Sequence, residues 1–310
     1  MRPWRISYGV DSHIACFAVQ PRAVRLDRME FYWTEAQIRK VGTAGTAAMV
    51  ERWKSLSSGN LGVEIPIILA SRYSSKNLTI AQRPGQVNVT EFLLCEDRPT
   101  LAVLLEEFGK RGPVFDEVLF THELAHRIVS LDGFSAIGTA DTQWHLAGGA
   151  LYSLAQHSPI LTLQRTNGID GRPIFDKRAS EIIRGYVEQV GLCGIYNVGA
   201  DAITIADDIL HASPELSEQL INRVLPAVPQ IRTIAEEVVD CAKNYDLLDP
   251  DENLLFLRDA VQRIAPAVAW VEASGADAVK MEVAGLIDTQ NLEGEPRSEI
   301  DDGDDEDDSK

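Results

Sequence analysis

The string His122-Glu123-Leu124-Ala125-His126 constrains this chain more than any other feature of its 310 residues. Two histidines four residues apart lie on one side of a helix, about one turn from each other. Imidazoles in that geometry can share a single zinc ion. Glu123, beside the first of them, can take a proton from a water on that ion. Val118, Leu119, Leu124, Ile128 and Val129 supply an apolar face. The pattern therefore predicts a buried helix from about Val114 to Val129, with Asp132-Gly133 as its stop signal. Three of the six histidines fall between residues 122 and 145.

A catalytic zinc usually has three protein ligands and one open position. The form H-E-x-x-H-x-x-G-x-x-H is absent, because Val129 stands at the glycine and Asp132 at the third histidine. A form with a later glutamate ligand expects E-x-x-x-D. Its nearest match is Asn197-Val198-Gly199-Ala200-Asp201, where asparagine is a poor ligand. Asp141 and His145, spaced i and i+4, are candidates for the third place, and a later acid such as Glu181 or Asp201 stays open. Asp141 also reads as the N-cap of the helix that follows it, and the two roles are compatible since a carboxylate has two oxygens.

The H-E-x-x-H string is followed by Gly138-Thr139-Ala140-Asp141-Thr142-Gln143-Trp144. Over about residues 118–155 the chain resembles the aspzincins, the deuterolysin and peptidyl-lysine metalloendopeptidase group, in which a G-T-x-D-x-x-Y-G segment follows the zinc helix. The resemblance implies a zincin-like metallopeptidase domain, Zn2+ as cofactor, Asp141 as third ligand, and a protein or peptide substrate with lysine near the scissile bond. It also implies that Ala147 to Ala155 form a small-residue helix behind the site. Trp144 replaces the family's tyrosine and His145 its final glycine, so the donor that stabilises the transition state is expected from Trp144, Tyr152 or His145. The activity expected is zinc-dependent endopeptidase hydrolysis, with Glu123 as general base. The substitution at Trp144 motivates a different expectation, a zincin-fold binding or scaffold module that has lost turnover. A metal-dependent hydrolase of a non-peptide bond is a third.

Around this site the pattern predicts an α+β, mainly helical protein in three parts. Residues 1–172 are expected to form the metallopeptidase domain with a small antiparallel sheet. Candidate strands are Val63–Leu69, Leu78–Ala81 and Val87–Leu94, separated by turn residues. Helices are expected over Glu35–Leu56, Thr100–Phe108 and Thr142–Gln156. Residues 173–290 read as a helical accessory bundle, with segments Arg178–Ala212, Glu215–Tyr245 and Asn253–Ile287 interrupted near Pro226–Pro229 and Pro266. Residues 291–310 hold ten acids against Arg297 and Lys310, too charged to fold, and are expected to be a disordered tail.

Charge and composition exclude several classes. The net charge is −18 and no basic stripe is present, which disfavours nucleic acid as a partner. No apolar run approaches the ~20 residues of a membrane span. The stretch Ile14–Val19 is too short for a signal peptide, so a cytoplasmic protein, or one exported without such a signal, is expected. Cys16, Cys95, Cys193 and Cys241 lie far apart and read as free thiols. A protein partner for the acidic tail or the helical region is expected. His13, His157 and His211 read as ordinary surface or packed histidines, and Asp207-Asp208 and Glu236-Glu237 as solvated helix faces.

Overall fold

The computed structural model describes residues 32–71, 89–95, 98–105, 115–188 and 197–293. It is mainly helical with a small mixed sheet. No helix among the described residues is long and apolar enough to cross a membrane. The expected strand at Leu78–Ala81 and residues 294–310 of the expected acidic tail fall outside the described residues, whereas residues 291–293 of that tail end the last helix.

The sheet contains β1 (Tyr32–Thr34), β2 (Ile67–Ser71), β3 (Val89–Cys95) and β4 (Arg98–Leu105), in the order β1-β2-β4-β3. β1 pairs with β2, and β3 with β4, antiparallel, but β2 and β4 run parallel, with Ile67 opposite Leu101 and Leu69 opposite Val103. The expected antiparallel sheet is therefore mixed. The helix expected at Thr100–Phe108 is also corrected, because its residues 100–105 belong to the strand β4. Leu101-Ala102-Val103-Leu104-Leu105 is buried along its whole length. A short unbroken apolar run carries no periodicity that separates a central strand from a buried helix. Strand alternation becomes visible only in the packing. Leu101, Val103 and Leu105 join the cluster of Trp53, Phe120, Leu124 and Ile128, whereas Ala102 and Leu104 face Ile68, Ala70 and Leu93.

Helices α1 (Glu35–Val41) and α2 (Ala44–Leu61) divide the expected Glu35–Leu56 segment at Gly42-Thr43. Thr43 caps α2. Its backbone N–H donates to Glu117 of α3 (Glu117–Leu131) across 2.6 Å, and the Thr46 hydroxyl donates to the same carboxylate. The start of α2 is thereby tied to the first turn of α3. Asp116 caps α3 by accepting the Leu119 N–H at 3.0 Å, and the helix ends at Asp132 before Gly133, whose φ of 101° is left-handed.

β5 (Ser135–Gly138) leads into α4 (His145–Thr166), then α5 (Arg172–Ile183) with a π-helical turn at Arg184–Glu188, and α6 (Val198–His211). α7 (Pro214–Gln219), a second π-helical turn (Leu220–Val224), α8 (Leu225–Ala227), α9 (Pro229–Ala242) and α10 (Pro250–Ile264) follow. β6 (Val271–Ser274) and α11 (Gly275–Glu293) complete the described chain. Packing crosses residue 172 in several places. β6 pairs antiparallel with β5, α6 packs along α4, and α11 packs on α3.

α4 carries Pro159 in its interior, where proline leaves the carbonyl four residues earlier without its helical donor. That carbonyl, of Ala155, accepts the side-chain N–H of Asn253 from α10 at 2.7 Å. A buried amide from another helix thus satisfies the break, directly beside Gln156 and His157.

Candidate metal centre

α3 and α4 lie side by side, joined by polar contacts at two levels of their interface. Gln164 of α4 donates to the Val118 carbonyl at 3.0 Å and to the Thr121 hydroxyl at 2.9 Å. About two turns away, Gln156 and Tyr152 of α4 meet His126 and Ser130 of α3. The pairs Thr121–Gln164 and Ser130–Tyr152 show that the two helices run antiparallel. α6 lies on another flank of α4 and runs parallel to it. Gly199 there faces Ala147 and the Trp144 ring, while Asp207 meets His157 and His211 meets Ser158. A Cβ at Gly199 would stand 3.0 Å from the Ala147 methyl carbon, so the absent side chain is what lets α6 approach.

These helices converge four of the chain's six histidines on one place. The His122 ring centroid lies 5.0 Å from that of His126 and 5.1 Å from that of His157, and His157 lies 5.8 Å from His211. Phe175 of α5 packs edge-on against His157 at 4.8 Å and contacts His122 and His211 as well. His122, His126 and His157 can each offer one ring nitrogen with all three within 4.8 Å of one another. His157, Asp207 and His211 form a second such group. The site is buried: His122 is 6 % exposed, Glu123 5 %, His126 1 % and His157 2 %.

Hydrogen bonds fix the ring tautomers. The Ser130 hydroxyl donates to the His126 carbonyl at 2.8 Å, leaving its oxygen to accept from the Tyr152 hydroxyl at 2.7 Å and the Gln156 amide at 3.1 Å. With its NH2 committed there, Gln156 turns its carbonyl oxygen to His126 Nδ1, 2.8 Å away. Nδ1 must then carry the proton, and Nε2 presents a lone pair. The same logic holds at His157, whose Nδ1 lies 2.8 Å from Asp207 Oδ1. Asp207 Oδ1 also accepts from His211 Nδ1 at 2.8 Å, and its second oxygen accepts from Arg178 of α5. Arg178 also donates through Nε to Asp208 at 2.7 Å.

Burial lowers the His157 imidazole to about 4 against the opposing pull of Asp207, so the ring is neutral at neutral pH. Burial alone would raise Asp207, but His157 and Arg178 hold it well below the usual carboxylate range. Asp208 is different. Burial, with the charge of Asp207 beside it, raises Asp208 to about 7 despite Arg178.

The residues expected from sequence are distributed unevenly around this centre. His122, Glu123 and His126 lie on α3 as expected. Asp141 is exposed and serves the turn before α4, accepting the N–H groups of Gln143 at 2.8 Å and Trp144 at 3.3 Å. His145 is the first residue of α4 and its N–H donates to the Asp141 carbonyl. Neither belongs to a three-ligand group among the described residues. Trp144 is partly buried against the helical core, and the Tyr152 hydroxyl is turned to Ser130, with burial pushing it up to about 12. Asp201 is buried in the first turn of α6, accepting from the Asn197 N–H, and Glu181 lies on α5. Asp207 and Asp208 are 3 % and 0 % exposed, which corrects their reading as a solvated face. Glu236 and Glu237 are exposed as expected.

Sequence reasoning missed His157, Gln156, Asp207, His211 and Arg178. One signal was present: Ser153, Gln156 and His157 place polar groups at i, i+3 and i+4 in an apolar run, and Asp207 and His211 repeat the i, i+4 spacing in another. Comparison with known proteins finds no matching family model, no matching curated protein and no matching solved structure.

Proposed function

We propose that this chain is a zinc-dependent hydrolase of the zincin type, with His122, His126 and His157 as ligands and Glu123 as general base. The observation that carries the reading is the convergence of three buried imidazoles, their donor atoms within 4.8 Å, beside a buried glutamate. Ligand nitrogens around a tetrahedral zinc stand about 3.4 Å apart, so the donors need close by at most about 1.4 Å. Three neutral ligands leave a fourth position for water or substrate. A zinc ion held by these residues would supply a water of pKa about 7 and polarise the substrate carbonyl. Glu123 takes the proton from the attacking water and passes it to the leaving group. Peptide bonds as substrate rest on the resemblance of residues 118–155 to the aspzincins, with His157 filling the place that resemblance gives to Asp141.

The near-complete burial of all four groups supports a second reading, a zincin-type scaffold that keeps the metal for structure alone. One experiment separates the two. Wild type, Glu123→Gln and His157→Ala are assayed for bound metal and for cleavage of a broad peptide library. The hydrolase reading expects one zinc in wild type and Glu123→Gln, cleavage in wild type only, and loss of zinc in His157→Ala. Zinc in wild type with equal inertness in Glu123→Gln would leave the scaffold. No zinc in wild type would end both readings.

A further inference from the structure

The group formed by His157, Asp207 and His211 admits two interpretations, a second metal site or a support for the first. Arg178 decides between them. Its guanidinium donates to Asp207 Oδ2 while His157 and His211 donate to Oδ1, so both carboxylate oxygens are already engaged. A divalent cation there would have to displace two imidazole N–H donors and sit beside a partly buried guanidinium. Phe175 covers both Arg178, 5.2 Å from its ring centre, and His157, which closes the cluster further.

We propose that Asp207 is a positioning residue of the metal centre, fixing His157 as the Nδ1–H tautomer so that Nε2, now 3.3 Å from the Ser153 hydroxyl, is the nitrogen left for a metal shared with His122 and His126. This rests on the three-histidine reading of the metal site. His211 and Arg178 act one step further out. His211 is itself held by its Nδ1 contact to Asp207 and by the Ser158 hydroxyl at 3.0 Å from Nε2, and Arg178 bridges Asp207 to Asp208. The arrangement brings α5 and α6, which begin about forty and about seventy residues after the end of α3, into the control of one ligand's orientation. Carboxylate partners of ligating histidines set tautomer and ring angle and strengthen the ligand as a base, and removing them typically weakens metal binding by about 10–100-fold.

The test is a zinc titration of the full chain against a chromophoric chelator, comparing wild type, Asp207→Asn, Asp207→Glu and His122→Ala, with histidine 15N spectra of the wild type. One zinc per wild-type chain is expected, a loss of affinity of about 10–100-fold in Asp207→Asn, and partial recovery in Asp207→Glu. In the wild-type spectra His157 should keep its Nδ1 proton with and without zinc, and Nε2 should shift on loading. The spectra need no variant to fold. Unchanged affinity in Asp207→Asn, two zinc ions per chain, or zinc on His157 Nδ1 would overturn the proposal while leaving a metal site in place. Absence of zinc from the wild type, or zinc retained in full by His122→Ala, would instead overturn the three-histidine reading and this proposal with it.

Discussion

Gln156 Oε1 accepts the Nδ1 proton of His126 across 2.8 Å, and the same amide's NH2 is committed to Ser130, so the α4 side chain dictates which nitrogen of an α3 histidine is left as a ligand. Gln156→Leu takes this acceptor away without changing the ring's burial. The expected result is a loss of zinc affinity of about 10–100-fold, with about 1–3 kcal/mol of destabilisation from the disrupted buried network. Chelator competition and urea unfolding measure the two effects separately. Undiminished zinc affinity in a folded Gln156→Leu protein would remove Gln156 from the site.

Two buried groups give the metal-free fold opposing pH dependences over one shared range. His157 is lowered to about 4 from its ordinary 6.5 by burial, so between those values the unfolded chain takes up a proton that the folded chain refuses. Stability is full above pH 6.5 and falls as pH drops toward 4, by on the order of 3 kcal/mol. Asp208, raised to about 7 by burial, behaves the other way. Its folded form holds a proton that the unfolded form releases above its ordinary 3.8, so its contribution is full below 3.8 and is lost as pH rises through 7. Between about pH 4 and 6.5 the two slopes oppose each other proton for proton, so thermal unfolding of chelator-treated wild type should vary little with pH there. His157→Gln should leave a stability that falls as pH rises from 4 to 7, and Asp208→Asn one that rises with pH from 4 to 6.5. Variants whose midpoints follow the wild-type profile over that range would contradict both assignments.

The zinc helix was legible because its signal is local. Its spacing and its Asp132-Gly133 stop lie within about a dozen residues, and the described helix runs Glu117–Leu131 where about Val114–Val129 was expected. The interruptions near Pro226–Pro229 and Pro266 were legible for the same reason. β4 was not, because Leu101 to Leu105 is apolar throughout and only pairing with β2 and β3 makes it a strand. His157 was hidden by distance. It follows His126 by thirty-one residues, and nothing in the intervening sequence states that α4 returns antiparallel along α3. Asp141 drew attention because it lies close in sequence and in a family-like segment, while its backbone contacts in the turn before α4 explain an aspartate there equally well.

Gly275 joins the second β-ribbon to the metal helix. Its N–H donates to the Phe134 carbonyl at 3.1 Å, and a Cβ built on it would stand 2.4 Å from that oxygen and 2.7 Å from the Ser130 carbonyl. Both obstacles are backbone, so the clash cannot be relieved by rotating a side chain. Gly275→Ala should destabilise the fold by about 1–3 kcal/mol, the usual penalty for forcing a methyl into filled space. Ser130 anchors the Gln156–His126 network, so zinc affinity should fall together with stability. The exposed Gly133→Ala change meets no atom within 4 Å, but its φ of 101° strains any side chain, and it should cost stability without lowering zinc affinity. Chelator competition on both variants checks the distinction, and equal loss of affinity in the two would refute it.

The third ligand is open to a direct comparison. Asp141→Ala removes the acceptor for the Gln143 and Trp144 N–H groups at the start of α4, an exposed position where such a loss costs about 1 kcal/mol. His157→Ala removes one of three buried imidazoles whose donor atoms lie within 4.8 Å of one another. With two imidazoles left the metal loses a third of its protein ligands, and Ser153, one turn before His157 on α4, offers only a neutral hydroxyl in exchange. Metal analysis after dialysis should find a full equivalent of zinc in Asp141→Ala and His145→Ala and little in His157→Ala. Circular dichroism and a chelator-treated wild-type control separate loss of metal from loss of fold. Zinc absent from Asp141→Ala and retained by His157→Ala would restore the aspartate ligand that the resemblance implies and displace His157 from the centre.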